Sequence, residues 1–216
     1  MLRIKRVHTQ ALREQVYALR YRAYRRENAI AESAEERFED KYDSQPNHVL
    51  WALTENKAVI GSIRTTWFDP AEVHLIPEMI GYAEDLAKNV PENVKLLSGN
   101  RFVTASPFDS SQHTAMLLLR HHMKTAHYCQ TEWAVCAVRK NHEPFYRRVL
   151  HLKKHSEEGR IYPGLTCQMY LMSCDFKKNI NAVYNNYPIL KPKGYERMFF
   201  DENYQDMWEI GLPVEL

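Results

Sequence analysis

Asp40-Lys41-Tyr42-Asp43, then Gly61-Ser62-Ile63-Arg64, then Ser98-Gly99-Asn100-Arg101-Phe102 are the stretches on which the reading of this 216-residue chain turns. A pair of acids is followed by two arginines, each set inside an apolar, strand-like run. A charge in such a run is costly to bury unless it meets an opposite charge. Arg64 and Arg101 therefore require carboxylates, and Asp40 and Asp43 are the nearest acids that also precede a strand. Any one such pair reads equally as a structural ion pair. The ordered set reads as a site.

The flanking elements give the set its frame. Arg3 to His8 alternates as a first strand. From Gln10 to about Asn28, Leu12, Val16, Leu19 and Ala23 fall at helical spacing, and Arg13, Tyr17, Arg20 and Tyr24 form a second face beside that stripe. Arg20 and Tyr24 thus stand one turn apart and can enter one cleft. His48–Thr54 and Ala58–Trp67 read as a hairpin turning at Glu55-Asn56-Lys57. Residues 70–92, with Pro70, Pro77 and Pro91, read as an insertion around a short helix. Val94–Ala105 is the next strand. Residues 106–111 form a capping loop before a helix over Gln112–Tyr128, with Ala115, Leu118, Leu119, His122 and Met123 inward. A strand over Glu132–Val138, a short helix over Pro144–Leu150 and a strand over Leu165–Cys174 follow. The order βα(α)ββ, insertion, β, α, β, α, ββ predicts an α/β fold with a mixed central sheet. Residues 1–176 form the predicted domain, with 177–216 as an extension packed on it.

In order and spacing these motifs resemble the acyl-homoserine-lactone (autoinducer) synthases and their relatives, the long-chain N-acyl amino acid synthases of FeeM type. Arg20-Ala23-Tyr24 is similar to their Arg-x-x-x-Phe, with Tyr for Phe. Asp40 to Asp43 matches Asp-x-Tyr-Asp, and Gly61 to Arg64 matches Gly-x-x-Arg. Ser98 to Phe102 keeps the arginine of Glu-x-x-Arg-Phe but puts Ser98 where the glutamate belongs. His142 to Arg148 and Tyr162 to Leu165 resemble the His-x-x-Phe-Tyr-Arg-Arg and Tyr-Pro-x-Leu segments on the FeeM side. The tryptophan that autoinducer synthases carry after the first helix has Ile30 near its place.

The resemblance implies a GNAT-like acyltransferase fold and transfer of a long fatty acyl group from acyl carrier protein to the amine of an amino acid. It places Arg20, Tyr24, Asp40 and Arg64 at the acceptor, and Asp43, Arg101, Tyr146 and Ser98 in catalysis. Tyr146 would hydrogen-bond the departing thiol. Ser98 is no base unaided, so Asp40, Asp43, a water or a backbone carbonyl would have to replace the glutamate. Ser110, Ser111 and Gln112 would hold the pantetheine arm's phosphate through helix N-terminal amides. That loop has no glycine, which favours a single phosphodiester over a pyrophosphate. Homoserine lactone synthesis with S-adenosylmethionine is the alternative chemistry, and a catalytically silent acyl- or carrier-binding module is the alternative class.

Composition agrees with one such domain: 44% hydrophobic and 26% charged residues with a net charge of +2. The charge is uneven. Residues 1–26 carry eight Lys/Arg against Glu14, and residues 27–43 carry seven acids against Arg37 and Lys41. Arg139, Lys140, Arg147, Arg148, Lys153 and Lys154 cluster around the short helix and form the expected docking face for a small acidic carrier protein. A nucleic-acid binder would more often be basic throughout. No apolar run reaches the ~18 residues of a membrane span, and Met1 to Arg6 lacks the apolar stretch of a signal peptide. With no Cys-x-x-Cys pair, the four cysteines read as reduced thiols of a cytoplasmic protein. His113, His121, His122 and His127 include no i, i+4 pair, so no metal is expected. No cofactor is expected beyond the acyl donor.

Overall fold

The computed structural model describes residues 1–105, 111–156, 158–162 and 164–214, with the backbone alone at 111 and 112. Its strands are β1 (Leu2–Arg6), β2 (His48–Glu55), β3 (Ala58–Phe68), β4 (Leu96–Thr104), β5 (Trp133–Val138), β6 (Lys153–Lys154), β7 (Arg160–Ile161), β8 (Gln168–Asp175) and β9 (Leu212–Pro213). The helices are α1 (Gln10–Arg26), α2 (Pro77–Gly81), α3 (Ala83–Asn89), α4 (Ser111–Tyr128), α5 (Glu143–Leu150), α6 (Phe176–Asn186) and α7 (Gln205–Ile210). The strands form one sheet in the order β6-β8-β5-β4-β3-β2-β1-β9, with β7 also on β8. Every neighbouring pair is antiparallel except β4 and β5, which are parallel. This is the mixed α/β sheet of a GNAT-like acyltransferase. No described helix is long and apolar enough to cross a membrane.

The two faces of the sheet divide by strand alternation. Trp51, Leu53, Ile63 and Leu97 pack on Leu117, Leu118 and Leu119 of α4. Leu50 and Ala52 turn the other way, onto Val16, Leu19 and Ala23 of α1. Thr9 caps α1, its hydroxyl accepting from the Leu12 amide.

Two irregularities shape the centre. β4 and β5 pair only at Leu96–Trp133, Leu97–Ala134 and Ser98–Val135, and beyond Ser98 they part. On its other edge β4 carries a bulge: Arg64 faces Asn100 while Ser62 faces Val103, so Arg101 and Phe102 together oppose Ile63. Arg101 sits at φ 51°, in the left-handed region. Such a conformation costs about 1–3 kcal/mol and is held only where surrounding contacts fix it.

The sequence reading differs from the structure in three places. Within 29–47 the bracketed second helix is a single 3-10 turn, Lys41–Ser44, capped by the Asp40 side chain. Residues 70–92 are no peripheral insertion: Ile76, Glu78 and Tyr82 are buried, and α2 and α3 help to build a second core with Leu96, Val135 and Leu171. The helix over 111–128 is buried on more than its predicted inward stripe, with Leu117, Arg120 and His121 also enclosed and Ala115 only half-buried. The reason is the C-terminal segment, which covers that side. Glu196 accepts from the Lys193 amide at 2.6 Å and pairs with Arg120 at 3.0 Å, while Phe199 packs edge-on against Trp51.

Candidate active site

Four elements bring one charged cluster together beside the gap between β4 and β5. The 3-10 turn supplies Asp40 and Asp43, α1 supplies Arg20, β3 supplies Arg64 and the β4 bulge supplies Arg101. Arg64 donates from Nη1 to Asp40 Oδ1 at 2.5 Å and from Nη2 to Oδ2 at 3.1 Å. Arg101 reaches Asp40 Oδ2 from Nε at 2.8 Å and from Nη2 at 2.6 Å. Arg20 Nη1 straddles Asp43, at 2.9 and 2.8 Å from its two oxygens, and Arg64 Nη1 lies 3.0 Å from Asp43 Oδ1. Asp43 Oδ2 also accepts the Asp40 amide at 3.0 Å. Burial alone would raise both aspartate pKa values, but Arg64 with Arg101 at Asp40, and Arg20 with Arg64 at Asp43, hold both below the ordinary carboxylate range. Asp43 is 2% exposed and faces its arginines.

Asn100 extends the cluster along β4. It accepts Arg64 Nε at 2.6 Å, which fixes its amide so that Nδ2 donates to Thr66 Oγ1 at 3.1 Å and to Ser98 Oγ at 3.0 Å. Across Ser98 stands Glu78 of α2, a residue absent from the sequence-predicted site. Its carboxyl is fully enclosed, and neither oxygen makes a well-formed hydrogen bond. Burial pushes its pKa up to about 7, against the weaker opposing pull of the Ser98 hydroxyl, Arg64 and the Ala137 backbone. Glu78 follows Pro77, which opens the five-residue α2, and Tyr82 caps the end of that helix; no local pattern in the sequence marks the carboxyl as buried.

Where β4 and β5 part, a cavity of about 350 Å³ opens, lined by Gly99 to Thr104 on one side and Ala137 to Arg139 on the other. Tyr24 and Tyr146 also line it. A smaller apolar pocket, about 30 Å³, shares Gly99 and Tyr146 with this cavity and lies among Leu119, Met123, Leu150 and Phe176. Burial, with lesser effects from Cys136 and Tyr24, raises the Tyr146 pKa, so the phenol stays protonated. Gly99 lets the strand approach α4 closely, since a Cβ there would stand 3.0 Å from the His122 ring and the ring would have to give way by a few tenths of an ångström.

The structure places the remaining expected residues as follows. Arg139 lines the cavity and pairs with Glu27 rather than standing free. Lys140, Arg147, Arg148 and Lys153 are exposed, and Lys154 is half-buried with its amine 4.0 Å from Glu143. Ser110 and the side chains of Ser111 and Gln112 lie outside the described residues. No group of three or more potential metal ligands occurs among the described residues.

The fold is shared with solved enzymes. A structure of FeeM, an N-acyl amino acid synthase from uncultured soil microbes, superposes with a TM-score of 0.65 at 14% identity, covering 82% of this chain and 92% of that one. The acyl-homoserine-lactone synthase LasI gives 0.61 at 15% identity, with 86% and 94% covered. The CoA-dependent acyl-homoserine lactone synthase BjaI, with SAM and isopentyl-CoA, gives 0.58 at 12% identity, with 89% and 92% covered. At such identities these likenesses speak for the fold. No curated protein sequence matches the chain. The family model described as N-acyl amino acid synthase FeeM matches residues 15–175, from within α1 to the end of β8. That span contains the charged cluster, the bulge and both strands of the gap, and the chain belongs to the FeeM family of N-acyl amino acid synthases.

Proposed function

We propose that the protein joins a long fatty acyl group, delivered as a thioester on acyl carrier protein, to the amine of an amino acid. The observation that carries this reading is the cavity between the parted strands, with the Asp40–Arg64–Arg101 cluster at its side. Strands that stop pairing leave backbone N–H and C=O groups facing the gap, and a pantetheine arm, itself an amide chain, can pair with them in the manner of an added strand. The thioester would then lie beside Tyr146. The acyl tail has an apolar continuation past Gly99 and Tyr146.

Amide formation then requires a neutral amine near the thioester carbonyl and a proton for the thiolate that leaves. The protonated Tyr146 phenol can donate a hydrogen bond to that sulfur. The cluster of Asp40, Arg64 and Arg101 would fix the acceptor side, with Tyr24 at its edge. The carrier protein is favoured by the exposed basic residues around α5, and acyl-CoA, the donor named for BjaI, is the competing donor.

The test is to incubate the purified protein with long-chain acyl-acyl carrier protein, or with the matching acyl-CoA, and each of the twenty amino acids. Mass spectrometry would follow the products. The expected result is an N-acyl amino acid formed faster from the carrier-bound donor. Product from acyl-CoA alone would reassign the donor, and no amide from any combination would overturn the reading.

A further inference from the structure

At neutral pH an amino acid presents its amine as an ammonium. Condensing it with a thioester forms one C–N bond, breaks one C–S bond and yields amide, thiol and one surplus proton. Of the two protons the nitrogen sheds, one goes to the departing sulfur and one must go to the protein. Asp40 and Asp43 are poor receivers: every carboxylate oxygen of the pair already accepts from arginine nitrogens or backbone amides. His122 is held through Nδ1 to Thr65 at 2.9 Å, and His142 lies 3.1 Å from Arg139. Burial pushes His122 down to about 4, a weak base at pH 7, while the exposed His142 has its Nε2 lone pair taken by the Arg139 donor.

Glu78 differs from all of these. No cation stands at ion-pair distance from it among the described residues, its polar neighbours being the Ser98 hydroxyl and the Ala137 backbone, and it sits at the fork of the gap. Ser98 is the last residue of β4 paired to β5, and Ala137, whose backbone helps to hold the Glu78 carboxylate, is two residues beyond its partner Val135. Ser98 Oγ accepts from Asn100, which leaves its own proton free to point at Glu78. Ser98 is itself fully buried, one residue in from the cavity wall, which its neighbours Gly99 and Asn100 line, Asn100 from Ser98's own side of the strand.

We propose that Glu78 is the proton acceptor of the acyl transfer, working through Ser98 as a relay: Ser98 Oγ takes a proton from the incoming ammonium as its own hydroxyl proton passes to the Glu78 carboxylate. Glu78 is thus a positioning and proton-storing residue behind the site, and it returns its proton to solvent after product leaves. The inference rests on the synthase reading above. The charged and titratable groups around Glu78 are Arg64 from β3, Tyr42 from the 3-10 turn, Tyr82 at the start of α3, Cys136 of β5 and Tyr162. Of these only Arg64 is charged near pH 7, and it favours the carboxylate.

The experiment measures kcat/KM against pH for the wild type, Glu78→Gln and Ser98→Ala, with thermal melts to establish folding. The wild type should rise with pH through an inflection near 7. Glu78→Gln should fall by about 10²–10⁴-fold and lose the inflection. Ser98→Ala, which keeps the carboxylate buried, should fall by about tenfold or more with a displaced inflection, and it decides the matter if Glu78→Gln does not fold. An active wild type beside a folded Glu78→Gln of equal rate and unaltered pH profile removes Glu78 from the mechanism and leaves the synthase reading standing. Ser98→Ala with wild-type rate and inflection removes the relay. No amide from the wild type overturns the synthase reading, and this inference with it.

Discussion

Arg64 is fully enclosed, and its guanidinium is divided between Asp40, Asp43 and Asn100. Removing one member of a buried set leaves the others charged and unpaired, at about 3–5 kcal/mol. Arg64→Ala should therefore lower stability by that amount in urea denaturation, well before any assay of activity. Asp43→Asn should also destabilise, because Arg20 and Arg64 lose the charge between them. Asp43 is buried against these two arginines, so its substitution should register first in stability. Glu78 yields a second, opposite signature. Its folded pKa is raised from 4.5 to about 7, so between those values the unfolded chain gives up a proton that the native state keeps. The stability of wild type relative to Glu78→Gln should fall by about 3 kcal/mol as pH rises from 4.5 to 7, and stay level above. Paired denaturation curves across that range measure it, and the histidines cancel in the difference. Arg64 and Arg101 were legible in the sequence because a lone charge in a strand demands a partner. Glu78 was not, because an acid in a proline-marked segment looks solvated until tertiary packing closes over it.

Elements with a strong period were legible and those stabilised by distant partners were not. The hairpin of β2 and β3, helix α1 and helix α4 lie within a few residues of their predicted bounds, because each carries its own alternation or stripe. The two-residue strands β6, β7 and β9 exist only through their partners β8 and β1, so no local pattern announces them. Helix α4 shows the limit of periodic reading. Its stripe predicts one buried face, yet Arg120 and His121 are enclosed by Glu196 and Phe199 from 75 or more residues away in the chain. Phe199 is fully buried against Trp51, and truncating a buried Phe costs about 3–5 kcal/mol through lost transfer energy and the cavity left behind. Phe199→Ala should therefore shift the urea midpoint by that much. Its kcat on the folded fraction should stay unchanged, because neither Phe199 nor its neighbours line the cavity between β4 and β5. A loss of kcat in fully folded protein would show that the C-terminal segment shapes the site.

At the scale of the whole molecule, charge separates by role. The acids of the 3-10 turn are consumed internally by Arg20, Arg64 and Arg101, so the net charge of +2 says little about what the surface presents. On α5, by contrast, Arg147 and Arg148 are exposed, and among the described residues Arg147 pairs with Glu143 of its own helix at 3.3 Å. An exposed i, i+4 pair of that kind is worth about 0.3–0.5 kcal/mol and leaves the positive field available. The cavity is lined by Phe145 and Tyr146 of the same helix. A partner drawn to the basic face would thus arrive beside the entrance through which its thioester must pass. Exposed charges interact over about 10 Å at 0.1 M salt, and steering of this kind raises association rates by roughly 10–10³-fold. Reversing both charges, as Arg147→Glu with Arg148→Glu, should slow turnover of acyl-acyl carrier protein by on the order of tenfold or more at low salt. The penalty should shrink as salt rises. A short acyl-pantetheine thioester, which lacks the carrier's acidic surface, should be used at the wild-type rate by the same variant. Equal slowing with both donors would mean that the reversal damages the site itself. No slowing with either would place carrier docking on another face of the protein.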